Sequence, residues 1–69
     1  MKTRIRDLRE DRDISQKVVA EYLRCDQSLY SKYELEKRET PLYVIYKLAL
    51  FYDTSMDYLM LLTDDPAPY

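Results

Sequence analysis

Four polar side chains recur at helical spacing within residues 27–34, QSLYSKYE. They share one side of a predicted helix and are Gln27, Ser28, Ser31 and Lys32. Gln pairs bidentately with adenine, Ser serves either base type, and Lys can approach guanine O6 and N7. The chemistry on offer is therefore hydrogen bonding to base edges. An ordinary solvated helix face has the same composition, so both interpretations stay open at this stage.

Two short helices with a tight break between them must position this face. Ser15 is a strong N-cap candidate for a helix over Gln16–Leu23, whose inward stripe comes from residues 19, 20 and 23. Arg24–Cys25 forms the break, and Asp26 is predicted to cap a helix over Gln27–Leu35. Tyr30 and Tyr33 lie three residues apart, on the face of this second helix that should pack against the core.

The remaining chain predicts three more helices and a tail. Residues 2–12 form a helix with Thr3 as a candidate cap, and residues 41–52 form one with Thr40 as the cap and Pro41 at the first position. Ser55 caps a helix over Met56–Leu62. All periodicity is helical, which predicts an all-α domain over residues 1–62 and an extended tail over residues 63–69.

Length, composition and charge exclude several classes. A chain of 69 residues is one domain. It lacks an apolar run long enough for a membrane span and lacks a secretory signal. A lone Cys25 and no His exclude a disulfide framework and a zinc site. We expect a cytoplasmic protein that is not an enzyme, with no metal or cofactor.

The charge distribution bears on nucleic acid binding. The net charge is −2, whereas most small DNA-binding domains are basic. Residues 1–40 carry ten Lys or Arg against nine Asp or Glu, and residues 41–69 carry one against four. A net positive charge is thus confined to the half that holds the polar face. DNA binding would be modest and sensitive to salt.

Glycine is absent from the chain, although average usage of about 7% would give roughly five. Helices commonly end on a Gly with positive φ. We therefore expect every helix to end by another device.

With the helices placed in this way, the chain resembles the Cro/repressor-type (xenobiotic-response-element-like, XRE) helix-turn-helix family, in its short Gram-positive or phage form. The segments that carry the resemblance are SQKVVAEYL, DQSLYSKYE, KRETP, KLALFYDTS and MDYL, and they span nearly the whole length. The resemblance implies a five-helix repressor-like domain with the motif at helices two and three. It also implies a sequence-specific DNA-binding transcriptional regulator that acts as a homodimer on a palindromic operator.

The resemblance assigns roles residue by residue. Base contacts fall to Gln27, Ser28 and Lys32, with Ser31 a weaker candidate. Phosphate contacts fall to Gln16, Lys37 and Arg38, and the cations of the first helix suggest Arg4 as a further one. Arg9 and Glu34 match a pair that forms an internal salt bridge in several members, which would position the recognition helix.

The chain departs from the family pattern at positions where Gly or a small polar residue is usual, namely Arg24, Leu35–Glu36, Asp53 and Leu61. Apolar bulk is predicted on the surface, which suggests an oligomer interface through helices four and five from Leu35, Tyr43, Tyr46, Leu50 and Leu61. An alternative function follows: a natural or engineered protein–protein association domain on this scaffold, with DNA binding weak or lost.

Overall fold

Apolar stripes from five helices meet in one core. The structure, a computed structural model, describes residues 2–68; Met1 and Tyr69, the two ends of the predicted domain and tail, lie outside the described residues. The helices are α1 (Ile5–Asp11), α2 (Gln16–Leu23), α3 (Gln27–Glu34), α4 (Leu42–Phe51) and α5 (Met56–Leu59). No strand occurs in the described part, and the predicted five-helix, all-α fold is confirmed.

The core draws on every helix. Its buried apolar residues are Ile5, Leu8, Val19, Ala20, Leu23, Tyr30, Tyr33, Val44, Ile45, Leu48, Ala49, Tyr52 and Leu59. Tyr30 and Tyr52 are its largest fully buried side chains. Because α3 contributes only Tyr30 and Tyr33 to this buried set, these two rings fix which face of α3 remains outside.

Of the five predicted N-caps, two are observed and three are not; α1 begins at Ile5 after the N-cap Arg4, so the predictions of Thr3 as its cap and of a start at residue 2 are wrong. Ser15 Oγ accepts from the Val18 N–H at 3.3 Å, and Ser55 Oγ accepts from the Tyr58 N–H at 3.0 Å. Asp26 occupies the N-cap position of α3, but its carboxylate accepts no capping hydrogen bond. The prediction for Thr40 is wrong because Pro41, with extended backbone, is the N-cap of α4. Thr40 is buried instead.

Each of the five helices is followed by a residue in the left-handed conformation, although the absence of glycine argued against this way of ending a helix. A residue with positive φ follows each helix: Asp13, Arg24, Glu36, Asp53 and Leu61, with φ between 54° and 65°. At each helix end, the N–H groups of the left-handed residue and of the next residue donate to backbone carbonyls in the last turn of the helix. At α2, the Arg24 N–H donates to Glu21 O and the Cys25 N–H donates to Ala20 O. The expectation that the helices end without a residue of positive φ is therefore wrong. The chain tolerates the left-handed backbone with larger side chains, at roughly 1 kcal/mol each.

These left-handed residues also correct two predicted boundaries. The prediction carried α5 to Leu62, but Leu61 has φ 65° and the helix ends at Leu59. The prediction carried α3 to Leu35, but Glu36 has φ 60° and Leu35 is only the C-cap. Within residues 2–68 no helix reaches the length and hydrophobicity that crossing a bilayer would need.

Candidate nucleic-acid interface

The outward face of α3 is open. Gln27, Ser28 and Lys32 are exposed and Ser31 is half-buried. Within residues 2–68, no hydrogen bond or ion pair engages any of these four side chains. The face is therefore free to form hydrogen bonds with a partner, and the four residues named from the sequence lie on it together.

The opposite face of α3 is fixed in the core. Tyr30 is fully buried and Tyr33 nearly so. Half-buried Cys25, in the turn before α3, packs against the core, and burial raises the pKa of its thiol. α2 and α3 pack directly against each other across this turn. The outward side chains thus sit on a helix whose rotation about its own axis is set by buried rings.

A buried ion pair holds the C-terminal end of α3 against α1. Arg9 Nε donates to Glu34 Oε2 at 2.6 Å, and Arg9 Nη2 donates to Glu34 Oε1 at 3.1 Å. The Glu34 side chain is 1% exposed. The third guanidinium nitrogen, Nη1, donates to the backbone carbonyl of Ile14 at 2.9 Å, just ahead of α2. One arginine therefore joins α1, the start of α2 and the end of α3.

Gln16 is attached to the same carboxylate. Its Nε2 donates to Glu34 Oε1 at 3.0 Å. Burial pushes the pKa of Glu34 up, but hydrogen bonds from Arg9 and Gln16 outweigh that effect, so the pKa lies below its usual value. The hydrogen bond to Glu34 likewise raises the pKa of Arg9. The carboxylate therefore remains ionised at neutral pH.

Two buried phenols surround this pair. Burial, together with the neighbouring Glu34 carboxylate, raises the pKa of Tyr30. The same causes raise the pKa of Tyr52 to about 12. Both rings are therefore neutral at physiological pH, so neither phenol adds a charge beside the Arg9–Glu34 pair.

The loop after α3 carries the other predicted phosphate ligands. Lys37 and Arg38 are exposed, and the backbone N–H of Lys37 donates to the Lys32 carbonyl at 2.9 Å. That bond keeps the loop beside the outer end of α3. Glu36 and Glu39 flank the two cations, so the local positive field is weak.

Arg4 lies elsewhere. Its Nε donates to the Tyr58 carbonyl at 2.8 Å, and its Nη2 contacts the Thr63 carbonyl at 3.2 Å and Asp64 Oδ1 at 2.6 Å. The guanidinium also lies 4.4 Å from the centre of the Tyr58 ring. These contacts hold the Arg4 side chain against α5 and the tail. Arg4 is therefore not one of the proposed phosphate contacts.

Comparison with known families bears on this arrangement. A family model described as Helix-turn-helix matches residues 5–59, which include all five helices. The chain belongs to the Cro/repressor-type helix-turn-helix family. In this family's terms, α2 and α3 are the motif and α3 is its second helix. The resemblance drawn from the sequence is confirmed.

One relative is a protein of Bacillus subtilis (strain 168) named as an uncharacterized HTH-type transcriptional regulator, YobD. The helix-turn-helix chain is 40% identical to it over 65 residues. The match covers 94% of this chain and 58% of that protein, so the chain spans little more than half of the relative's length. No solved structure gave a significant match.

The helix-turn-helix chain also exposes apolar side chains away from α3. On α4, Tyr43 is 64% exposed, Tyr46 54% and Leu50 62%, and all three lie on one side of that helix. Tyr46 and Leu50 also line a groove of about 270 Å³ between α4, the start of α5 and Pro68. Leu42, also on α4, is 63% exposed and was not among the interface residues named from the sequence, although it lies outside the inward stripe of that helix.

Leu35 and Leu61, the other two residues of the predicted oligomer interface, lie at helix ends. Leu35 is 50% exposed at the C-cap of α3, and Leu61 is 41% exposed after α5. Among residues 2–68, no group of three His, Cys, Asp or Glu side chains could hold a metal ion.

Proposed function

We propose that this chain is a sequence-specific DNA-binding transcriptional regulator that places α3 in the major groove of its operator. The observation that carries the proposal is the open polar face of α3 on a helix whose other face is locked in the core. The family and the name of the Bacillus subtilis relative support it. They favour it over an association domain that has lost DNA binding.

The base contacts follow from side-chain chemistry. Gln27, at the first position of α3, pairs with adenine through its amide, and Lys32 donates to guanine O6 or N7. Ser28 serves either base type, and half-buried Ser31 contributes less. The N-terminal residues of the second motif helix are those that meet base edges in this docking geometry.

The proposed phosphate contacts come from segments before and after α3 in the chain. Gln16 opens α2, and Lys37 and Arg38 lie in the loop after α3. These contacts fix orientation and carry no sequence information. With a net charge of −2, binding depends on few cations, so affinity is moderate and falls as salt rises.

The apolar surface of α4 and α5 is the proposed site for a second copy of the chain. Tyr43, Tyr46 and Leu50 are exposed bulky residues on a helix that already has a complete inward stripe. A twofold dimer would present two copies of α3 to half-sites about 34 Å apart, which calls for a palindromic operator. We propose repression from such a site.

Selection of bound duplexes from a random DNA pool at low salt tests the proposal. We expect enrichment of a palindrome with half-sites about one helical turn apart. A pool that stays random after repeated rounds, with no duplex bound above background, would contradict DNA recognition. Concentration-dependent association in the same samples would then point to the association domain.

A further inference from the structure

The amide of Gln16 is held by a side chain from the recognition helix. Gln16 Nε2 lies 3.0 Å from Glu34 Oε1, and Glu34 is the last residue of α3. Gln16 itself is half-buried, so part of its surface still faces solvent. The residue proposed to bind phosphate from α2 is thus in direct contact with the helix proposed to read bases.

The direction of this hydrogen bond matters because a phosphate only accepts hydrogen bonds. A glutamine amide has a donor end and an acceptor end, and the torsion that exchanges them is soft. An ionised carboxylate accepts only, so Glu34 draws the NH2 group of Gln16 toward itself. The second N–H on that nitrogen then remains available for another acceptor.

The charge of Glu34 would by itself repel a phosphate. Arg9 removes that difficulty because it binds both carboxylate oxygens, at 2.6 and 3.1 Å. The pair has no net charge, and the 1% exposure of the Glu34 side chain keeps it away from solvent. Gln16 therefore gains an orienting acceptor without a net negative charge beside the bound backbone.

We propose that Glu34 is a positioning residue for DNA binding, which holds the Gln16 amide with a donor directed at the phosphate backbone and links that contact to the register of α3. The inference rests on the proposed function, because it names how one of its phosphate contacts is built. Arg9 acts one step further back, by neutralising Glu34.

A double-mutant cycle on DNA affinity tests the link. A duplex from the random-pool selection is titrated with four proteins: the unmodified chain, Gln16→Ala, Glu34→Gln and the double variant. Gln16→Ala should weaken binding about tenfold, the effect of losing a hydrogen bond to a charged group. Glu34→Gln should weaken binding by a similar factor in the unmodified background and by less than about twofold in the Gln16→Ala background.

Thermal unfolding of the same four proteins separates positioning from stability. Glu34→Gln removes the partner of Arg9, so most of its loss in melting temperature should persist in the Gln16→Ala background, where only the Gln16–Glu34 hydrogen bond is already absent. A merely structural role would lower DNA affinity equally in both backgrounds as well. That additive result would overturn the inference and leave the proposed function standing.

Nuclear magnetic resonance of the unmodified chain gives a second test that does not depend on a variant folding. Protonation of Glu34 at low pH should shift the side-chain amide resonances of Gln16 and leave those of exposed Gln27 unchanged. Addition of the selected duplex at neutral pH should shift the Gln16 amide again. If the Gln16 side-chain amide resonances do not shift on either change, the inference is overturned. Failure of the unmodified chain to bind any duplex overturns the proposed function and this inference with it.

Discussion

Arg12 and Tyr52 are joined in two ways: Arg12 Nη2 donates to the Tyr52 carbonyl at 3.1 Å, and the guanidinium lies 5.1 Å from the centre of the Tyr52 ring. Arg4 and Tyr58 repeat the arrangement, with a 2.8 Å bond to the carbonyl and a 4.4 Å distance to the ring. Each tyrosine lies at the C-terminal end of its helix, where backbone carbonyls lack partners within the helix. Arginines at the two ends of α1 therefore bind the ends of α4 and α5.

Arg4→Ala should lower stability and leave DNA affinity unchanged. It removes hydrogen bonds to two backbone carbonyls and a cation–π contact, at a cost on the order of 2 kcal/mol. The control is Arg6→Ala, whose exposed pair with Glu10 at 3.4 Å should matter by less than about 0.5 kcal/mol. Urea unfolding and duplex titration measure the two effects. A large loss of affinity for folded Arg4→Ala would return Arg4 to the interface.

Lys32→Ala should relax sequence discrimination, whereas Lys37→Ala should not. A base contact at one position contributes about 1–3 kcal/mol to discrimination, so its loss flattens preference at one base pair. Loss of a phosphate contact weakens binding to all sequences alike and lowers the salt slope by about one. Competition titrations with single-base variants of the selected duplex measure both. Identical behaviour of the two lysine variants would contradict the assigned roles.

Leu61→Gly should stabilise the chain. Leu61 has φ 65°, a conformation that costs a residue with a Cβ roughly 1 kcal/mol more than glycine. For a domain of this size a gain of about 1 kcal/mol raises the melting temperature by about 4–8 °C. Glu21→Gly, within α2, is the matched control and should lower stability by about 1 kcal/mol. Equal destabilisation by both substitutions would show that strain at Leu61 is not limiting.

Replacing Tyr43 and Leu50 by Glu should dissociate any dimer formed through α4. The two side chains are 64% and 62% exposed, so the monomer should remain folded while like charges accumulate on the proposed contact. Val18→Glu, on a residue 48% exposed on α2, is the control and should leave association unchanged. Light scattering over a range of concentrations reads out the mass. A chain that is monomeric before any substitution rules out the proposed dimer.

Glu34 should make stability fall in acid. Its pKa in the folded chain lies below the ordinary 4.5, so the folded state binds this proton less readily than the unfolded state. The stabilisation is therefore present above about pH 4.5 and is lost as the pH falls through the lower, folded-state pKa. Urea midpoints of the chain and of Glu34→Gln should converge as the pH is lowered from neutral. A constant difference between them would contradict the assignment.

Local features of the fold could be predicted from the sequence, and distant ones could not. The caps at Ser15 and Ser55 were predictable because a hydroxyl and its backbone partner lie three residues apart. The partner of Arg4 at Tyr58 lies 54 residues away, and a cation has many ways to be paired. The end of α5 was missed because Leu61 carries none of the signal that a glycine would give.

In the candidate site too, local features could be predicted from the sequence and distant contacts could not. The outward face of α3 followed from period 3.6 alone, since Tyr30 and Tyr33 fix the inward side. Contact between Arg9 and Glu34 was expected only from the resemblance. The hydrogen bond from Gln16 to Glu34 was not expected at all, because two polar side chains 18 residues apart show no sequence pattern that pairs them.

The left-handed residues have a consequence for local opening. α3 lies between Arg24 and Glu36, and it is the one described helix flanked on both sides by left-handed residues other than aspartate, which tolerates that conformation better. Strain at both ends lowers the free energy at which a segment opens on its own, so we expect amide hydrogens of α3 to exchange faster than those of α4. A duplex that binds only the closed segment would slow that exchange by mass action, so operator occupancy and order in α3 are thermodynamically linked.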